Sequence, residues 1–492
     1  MKYMISIILL ASSLFYTSCT KDLGDINDDP NRPKSVTPGV MLGQLQYRIV
    51  SSTIRASRNF THEVMQVDAP RSSPSGLGLH RYIVNPGSVL WSQLYGYLTD
   101  VEDIISISTT LKEDNYRGIA LIYKCWIYSM LTDGYGNVPY AEATRAAQGN
   151  YTPKFDSQKE IYIQLLKELD TANKILSPAK ALIYGGDQLF NANTLVSGTN
   201  PGILKWKRFA NSLRLRLLLR AFKRDGELPI SQEITRMLDN PSVYPLIASN
   251  VDEAIFRFPG TYPYFNPYFN ERQLEWRDGT YFTNFFINYL NATNDPRRAI
   301  WARTITVNGQ QVYRGIESGY PATTEYQVGA NSSYNDAMKI ASNLGVMLTY
   351  SEVEFIKSEL ALRGFKTGST PRQHYETGIN ASMIQWGAVL PAGFLTQSSV
   401  MFDETPTFEG RLAKIMQQKY IAYFFVDYQS WFEKRRTGYP VLPRGTGIPS
   451  ANQFPTRSPY PTYLQSLNKS ALDAAITSMG GDNSTTKVWW EK

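Results

Sequence analysis

The chain has 492 residues, of which 42% are hydrophobic and 13% aromatic, and its formal net charge is +7 at neutral pH. This length is sufficient for a large hydrophobic core. The lysines and arginines are interspersed with acidic residues instead of forming a basic stripe, which argues against a nucleic-acid-binding protein.

The first 18 residues carry one lysine followed by an apolar run too short to span a bilayer, and they predict a lipoprotein signal peptide. Small residues lead directly to Cys19, as in a bacterial lipoprotein box, so we predict that Cys19 is the lipid anchor; ordinary secretion is the alternative. Residues 19–38 are rich in Asp, Asn and Pro and predict a tether. Residues 25–31 lack the glycine and the distal glutamate of a calcium loop, although the sequence does not decide whether a structural calcium binds.

Helices are predicted at about residues 39–58, 88–112 and 115–131, and helical periodicity returns at 161–172 and 347–365. The third helix contains Cys125, which has no partner for an internal disulfide and is predicted to be a small buried residue. Period-two strand patterns are few, and no low-complexity linker divides the chain. We therefore predict a mostly α fold with a single domain spanning residues 39–492.

The stretch from Thr405 to Pro440 predicts one helix of about 30 residues, with Thr405 as its N-cap and Gly438 just beyond its end. Its apolar and aromatic residues recur at spacings of three and four. They are Ile421, Phe424, Phe425, Tyr428, Trp431 and Phe432. Such a wide aromatic face predicts that several other helices pack on this one.

Two loop-like stretches together form the predicted ligand site. Residues 71–91 contain glycines and a proline that keep the backbone irregular. Their candidate contacts are His80, Arg81, Tyr82 and Trp91. Residues 262–276 crowd aromatic side chains without a helical period. Their candidate contacts are Tyr262, Tyr264, Tyr268 and Trp276. Such rings either form a surface platform or pack as plugs beneath the loop, and the sequence leaves both interpretations open.

The sequence offers little to an enzyme. Its three histidines form no metal-ligand pair, and it contains neither a GxSxG motif nor a dinucleotide-binding glycine fingerprint. Glu352 and Glu359 are about 10 Å apart along a helix, wider than the carboxyl pair of a glycosidase. We predict no catalytic residue, no metal and no cofactor, and we expect a protein that binds its ligand without chemistry.

Several distinctive motifs follow one another along the chain. Residues 131–140 read LTDGYGNVPY, residues 206–216 read WKRFANSLRLR, and residues 417–422 read QQKYIA. Residues 435–440 read RRTGYP and complete the last of these motifs. In this order, the motifs resemble those of the SusD/RagB family of nutrient-binding outer-membrane lipoproteins of Bacteroidetes. Matching segments run from Cys19 to Trp490, so the resemblance covers nearly the whole chain.

The resemblance implies a SusD-like fold: a tetratricopeptide-like helical superhelix with a loop-rich ligand-binding part. No 34-residue repeat is visible, so the superhelix rests on the resemblance alone. The implied protein is anchored in the outer membrane, exposed at the cell surface, and captures oligosaccharides or peptides for a SusC-like TonB-dependent transporter. The sequence does not choose between starch, another glycan and a peptide. A tetratricopeptide-type scaffold that binds other proteins is the further alternative.

Overall fold

Helical hairpins built from consecutive helices make up much of the structure. The computed structural model describes residues 36–404 and 406–492. The predicted signal peptide, Cys19, the tether as far as residue 35 and the predicted N-cap Thr405 lie outside these residues. Residues 38–492 form one compact unit. No helix in the described part of the chain is long and apolar enough to cross a membrane.

The N-terminal helices are α1 (Pro38–Ala56), α2 (Trp91–Leu111), α3 (Asp114–Tyr135), α4 (Gln158–Ile175), α5 (Pro201–Arg220) and α6 (Ile230–Asp239). Neighbours in sequence pack on one another, α2 on α3, α3 on α4 and α4 on α5. Ser157 and Glu160 form a capping box at the start of α4, and Asn200 caps α5 ahead of Pro201. Local sequence signals thus set the boundaries of these hairpins.

Cys125 lies in the middle of α3 and is fully buried. Its thiol is 3.6 Å from the backbone oxygen of Leu165 and 3.6 Å from a carboxylate oxygen of Glu168. Burial raises the pKa of the Cys125 thiol well above its usual value, so the sulfur stays protonated. The prediction that Cys125 is a small buried residue is confirmed.

The middle of the chain is less regular and contributes short strands and helices. They are β1 (Asp68–Pro70), β2 (Ala254–Phe256), β3 (Thr280–Phe282), α7 (Asn284–Ala292), α8 (Arg297–Trp301), β4 (Ile305–Val307), β5 (Gln310–Val312) and β6 (Gly345–Leu348). The strands form antiparallel pairs, β1 with β3, β2 with β6 and β4 with β5. Ala69 is opposite Tyr281 in the first pair, which joins the segment just before residues 71–91 to the segment just after residues 262–276.

The C-terminal helices are α9 (Tyr350–Leu362), α10 (Pro371–Gln385), α11 (Phe408–Ala422), α12 (Gln429–Thr437), α13 (Leu464–Leu467) and α14 (Lys469–Met479). Helices α9 and α10 form a hairpin, and α11 packs on both. The prediction of a mostly α fold is confirmed.

The single long helix predicted from Thr405 to Thr437 is wrong, because α11 ends at Ala422 and α12 begins at Gln429. Between them Phe425 adopts a left-handed backbone conformation with φ of 61°. Its N–H donates to Nε2 of His62 at 3.1 Å, and the ring of Phe424 stacks on Trp301 with centroids 4.3 Å apart. Contacts with distant residues therefore replace the helical hydrogen bonds. The predicted C-terminal stop is confirmed, since Gly438 has φ of 83°.

A buried ion network fixes α12 against its neighbours. Glu433 lies 2.9 Å from Lys419, 2.7 Å from Arg436 and 3.3 Å from Arg220. Burial opposes ionisation, but these three cations hold the pKa of Glu433 well below its usual value.

The two glutamates that suggested a glycosidase are also ion-paired in the core. Glu359 pairs with Arg436 at 2.6 Å, and Glu352 pairs with Arg216 at 2.6 Å. Both carboxylates are at most 1% exposed. Glu352 and Glu359 therefore stabilise helix packing and do not face a ligand.

Candidate ligand-binding surface

The loop over residues 257–279 presents aromatic and apolar side chains to solvent. Tyr262 is 89% exposed, Leu274 is 59% exposed and Phe269 is 43% exposed. The Tyr47 hydroxyl donates to the backbone oxygen of Phe265 at 3.1 Å, which holds the loop to α1. The loop therefore carries its exposed rings on a backbone that side chains from α1 hold in place.

A cavity of about 520 Å³ lies against the second half of this loop. Its wall is formed by Arg58, Asn59, Glu63, Asp68, Pro70, Glu271, Leu274, Glu275, Gly279 and Thr280. Two π-helical turns, Ser57–His62 and Leu274–Asp278, contribute to the wall. Such wide turns are rare in proteins, and those that do occur are often found at functional sites. The Arg58 guanidinium joins the two turns by donating to the backbone oxygen of Glu275 at 2.6 Å.

Carboxylates dominate the charge of this cavity. The wall holds Glu63, Asp68, Glu271 and Glu275 with Arg58 as the one cation among its described residues. Burial raises the pKa of Glu63 to about 7, although the backbone N–H of His80 donates to this carboxylate at 2.8 Å. The cavity is thus rich in hydrogen-bond acceptors, which suit the hydroxyls of a sugar or a cationic group of a peptide.

His80, Arg81 and Tyr82 are part of the first predicted stretch, and all are buried. Nδ1 of His80 accepts the N–H of Gly319 at 3.2 Å, and burial lowers the pKa of His80 to about 4. Arg81 donates to the backbone oxygen of Gly447 at 2.9 Å. The ring of Tyr82 packs edge-on against another aromatic ring. These side chains hold neighbouring loops together and do not line the cavity.

Three of the predicted ligand contacts are buried in the core and cannot reach a ligand. They are Trp91, Tyr268 and Trp276. Trp91 packs edge-on against Tyr135 with centroids 4.9 Å apart, and it is 6% exposed. Trp276 is fully buried beneath Arg58, whose guanidinium lies 4.7 Å from the ring centroid. Tyr268 is 1% exposed. These rings have no free face for a ligand. Tyr268 and Trp276 are plugs beneath the loop, which was the alternative interpretation of residues 262–276.

Tyr264 and Tyr262 differ from these buried rings. Tyr264 is half-buried and packs edge-on against Tyr47, with centroids 5.3 Å apart. Tyr262 extends into solvent. Among the predicted contacts, Tyr262 is therefore the side chain whose ring is free to stack on a ligand.

The first predicted stretch bonds to the chain just beyond the second one, and not through the predicted side chains. The N–H of Arg71 donates to the backbone oxygen of Gly279 at 2.8 Å, next to the β1–β3 pair. The cavity residues that the sequence missed, Arg58, Asn59, Glu63 and Asp68, follow directly after α1. The charged residues Arg58, Glu63 and Asp68, which follow a predicted helix, were the available signal.

Within the described ranges, no group of three or more His, Cys, Asp or Glu side chains is placed to hold a metal ion. The surface offers a ligand an exposed aromatic ring and a wall of polar and charged side chains.

Comparisons with solved structures show the same fold in several proteins. A SusD homologue from Bacteroides fragilis superposes with a TM-score of 0.78 at 23% identity, covering 93% of this chain and 100% of that one. A SusD homologue from Bacteroides uniformis gives 0.77 at 26% identity, covering 92% and 99%. A chitin-binding SusD homologue from Flavobacterium johnsoniae gives 0.76 at 22% identity, covering 92% and 97%.

No curated protein matches the chain. The sequence profile of the SusD-like family described as starch-binding and associating with the outer membrane matches residues 30–461. This match covers most of the chain, and the helical architecture agrees with it. The chain therefore belongs to the SusD-like family.

Proposed function

We propose that this protein binds an oligosaccharide at the cell surface, without chemistry, and delivers it to a SusC-like TonB-dependent outer-membrane transporter. The observation that carries the proposal is the family match across residues 30–461. The solved chitin-binding relative, which shares the fold, supports a glycan as the ligand class. Attachment to the outer membrane through Cys19 belongs to the same proposal.

The exposed loop and its cavity are chemically suited to a saccharide. The apolar C–H face of a sugar ring stacks on an aromatic side chain, and Tyr262 has the exposed ring for this contact. Sugar hydroxyls need acceptors, which the carboxylates of the cavity supply. We therefore assign ligand binding to this loop and to the cavity wall, with Tyr262 as its aromatic contact.

A peptide ligand is the second candidate, and the acidity of the cavity favours it. Glu63, Asp68, Glu271 and Glu275 would attract the ammonium or guanidinium group of a basic peptide. Salt separates the two candidates, because it screens the binding of a cationic peptide far more than that of a neutral sugar.

Calorimetric titration of the purified protein tests the proposal. Chito- and malto-oligosaccharides and a lysine-rich peptide are titrated separately at low and high salt. Tyr262→Ala should weaken saccharide binding by about tenfold, the loss expected for one stacking ring. Tyr151→Ala is the matched control, because Tyr151 is 76% exposed on a different loop.

Two results would contradict the assignment. Equal affinities of the wild type and Tyr262→Ala for a bound saccharide would place the site elsewhere. If the protein binds the peptide in a salt-sensitive manner and binds none of the saccharides, the ligand class is a peptide and not a glycan.

A further inference from the structure

A second cavity, of about 560 Å³, is lined by residues that take no part in the first one. It lies between the loop at residues 188–191, α5, and the segment from Asn250 to Arg257 that includes β2. Its size is in the range of small-molecule sites in proteins. The ring of Phe190 and the side chain of Ile255 give it an apolar part, and the amide of Gln188 gives it hydrogen-bonding capacity.

Two cations line this cavity without an ion pair. Lys205 projects from α5, and Arg257 follows β2. Neither side chain has an acidic partner within salt-bridge distance among residues 36–404 and 406–492, whereas nearby Arg208 pairs with Asp252. Two unpaired cations at one cavity form a positive site that an anion would neutralise.

Glu253 lies in the wall of the same cavity and is 5% exposed. One carboxyl oxygen accepts the amide of Asn250 at 3.0 Å and the N–H of Tyr350 at 3.1 Å. The other, Oε2, has no hydrogen-bond partner in the described part of the chain. A buried polar atom without a partner is costly and is a common sign of a missing ligand or water.

The protonation of Glu253 matches an anionic ligand. Burial raises the pKa of Glu253 to about 8. The rise is opposed by the hydrogen bond from the Tyr350 N–H, by the charge of Arg257 and by the hydrogen bond from the Asn250 amide. The charge of Asp252 adds to the rise. At neutral pH the carboxyl is therefore mainly protonated, and its O–H is a donor that lacks an acceptor. A ligand carboxylate would supply that acceptor.

We propose that this cavity is a second ligand site, which binds the carboxylate of an acidic saccharide between Lys205, Arg257 and the Glu253 hydroxyl. The sugar ring would lie against Phe190 and Ile255, with Gln188 contacting its hydroxyls. The choice of a saccharide rests on the proposed function, whereas the preference for a carboxylate rests on this cavity alone.

Calorimetry with trigalacturonic acid and its neutral methyl ester tests the proposal on the full chain at pH 7. The acid should bind at least tenfold more tightly than the ester. The Lys205→Ala, Arg257→Ala double variant should remove this preference, and added salt should weaken it. Lys487→Ala, which removes an exposed lysine elsewhere, is the control and should bind like the wild type.

A second variant separates loss of the site from loss of folding. Glu253→Gln keeps the acceptor for Asn250 and Tyr350 and leaves a permanent N–H donor at the other position. In the wild type, affinity for the acid should fall between pH 7 and pH 9, because ionised Glu253 repels a carboxylate. In Glu253→Gln this fall should be absent while binding at pH 7 persists.

The outcomes also distinguish this proposal from the first one. Equal affinity for acid and ester, or an unchanged affinity in the double variant, would overturn the second site even if Tyr262 still binds neutral glycans. Binding of an N-terminally blocked tripeptide with a free C-terminal carboxylate, without binding of trigalacturonic acid, would overturn the assignment of a saccharide as the ligand. Retention of acid binding in Tyr262→Ala would support a site separate from the exposed loop.

Discussion

At the scale of single residues, His80 shows how burial couples stability to pH. Its pKa of about 4 in the folded chain lies below the ordinary value of 6.5. The unfolded chain therefore binds more protons between these values, and the free energy of unfolding falls as the pH is lowered through this range. From pH 7 to pH 5, His80 should account for a loss of about 2 kcal/mol.

His80→Asn tests this expectation, since its side chain keeps an acceptor near the N–H of Gly319 and does not titrate. Urea unfolding of both proteins at pH 7 and pH 5 should show a smaller pH dependence in the variant. An equal pH dependence would mean that His80 is not held neutral by the fold.

Trp276 is the residue for which burial makes the sharpest prediction about stability. Its ring is fully buried, and its Nε1–H donates to the backbone oxygen of Asn335 at 3.3 Å. Trp276→Ala should therefore lower the free energy of unfolding by about 3–5 kcal/mol. Thermal unfolding should show a large drop for this variant and almost none for Tyr262→Ala. Similar melting temperatures for the two variants would contradict the core placement.

The aromatic residues of the 257–279 loop show which part of the site the sequence could predict. Their irregular spacing correctly indicated a loop outside the helical framework. It could not indicate which rings are exposed, because a loop has no period that separates an inner from an outer face. Trp276 is covered by Arg58, and Tyr268 bonds to the backbone of Ile54, residues more than 200 positions away.

At the scale of elements, the predicted helices from α1 to α4 and α9 agree with the structure to within a few residues. Their amphipathic faces and caps are encoded locally, and tertiary packing does not change the helix boundaries that they predict. The break between α11 and α12 is different, since it depends on His62 and Asp427 and on the left-handed Phe425. Helical spacing continues through the break, so periodicity alone predicts a single helix.

Helix α12 is short, and the buried ion network contributes more to its stability than its own helical hydrogen bonds do. Glu433→Ala would leave Lys419 and Arg220, which are at most 2% exposed, without this carboxylate. We expect a loss of about 3–5 kcal/mol in the free energy of unfolding, because the remaining charges stay buried. Lys469→Ala, which breaks the exposed pair with Asp473, is the control and should change stability little. Equal unfolding midpoints would contradict the role of the network.

At the scale of the whole molecule, membrane attachment is proposed to depend on Cys19. We propose that a lipid on Cys19 holds the folded unit at the membrane. Cys19→Ala should shift the protein from the membrane fraction to the soluble fraction of the native host. Fractionation followed by immunoblotting measures this distribution, and membrane retention of the variant would contradict a lipid anchor at Cys19.

Association with a transporter is a separate expectation. We expect affinity purification of the tagged protein from native membranes, in mild detergent, to recover a large SusC-like β-barrel protein. The untagged protein, taken through the same purification, serves as the negative control for specific recovery. Repeated purification of the wild type without such a partner would count against delivery to a transporter.

The buried thiol of Cys125 makes the protein well suited to single-site labelling. The chain has two cysteines, and Cys125 is inaccessible inside α3. A Cys19→Ala, Thr261→Cys double variant would therefore present one reactive thiol, located on the exposed loop beside Tyr262. A fluorophore attached there would report ligand arrival directly, and no native cysteine would have to be removed from the core.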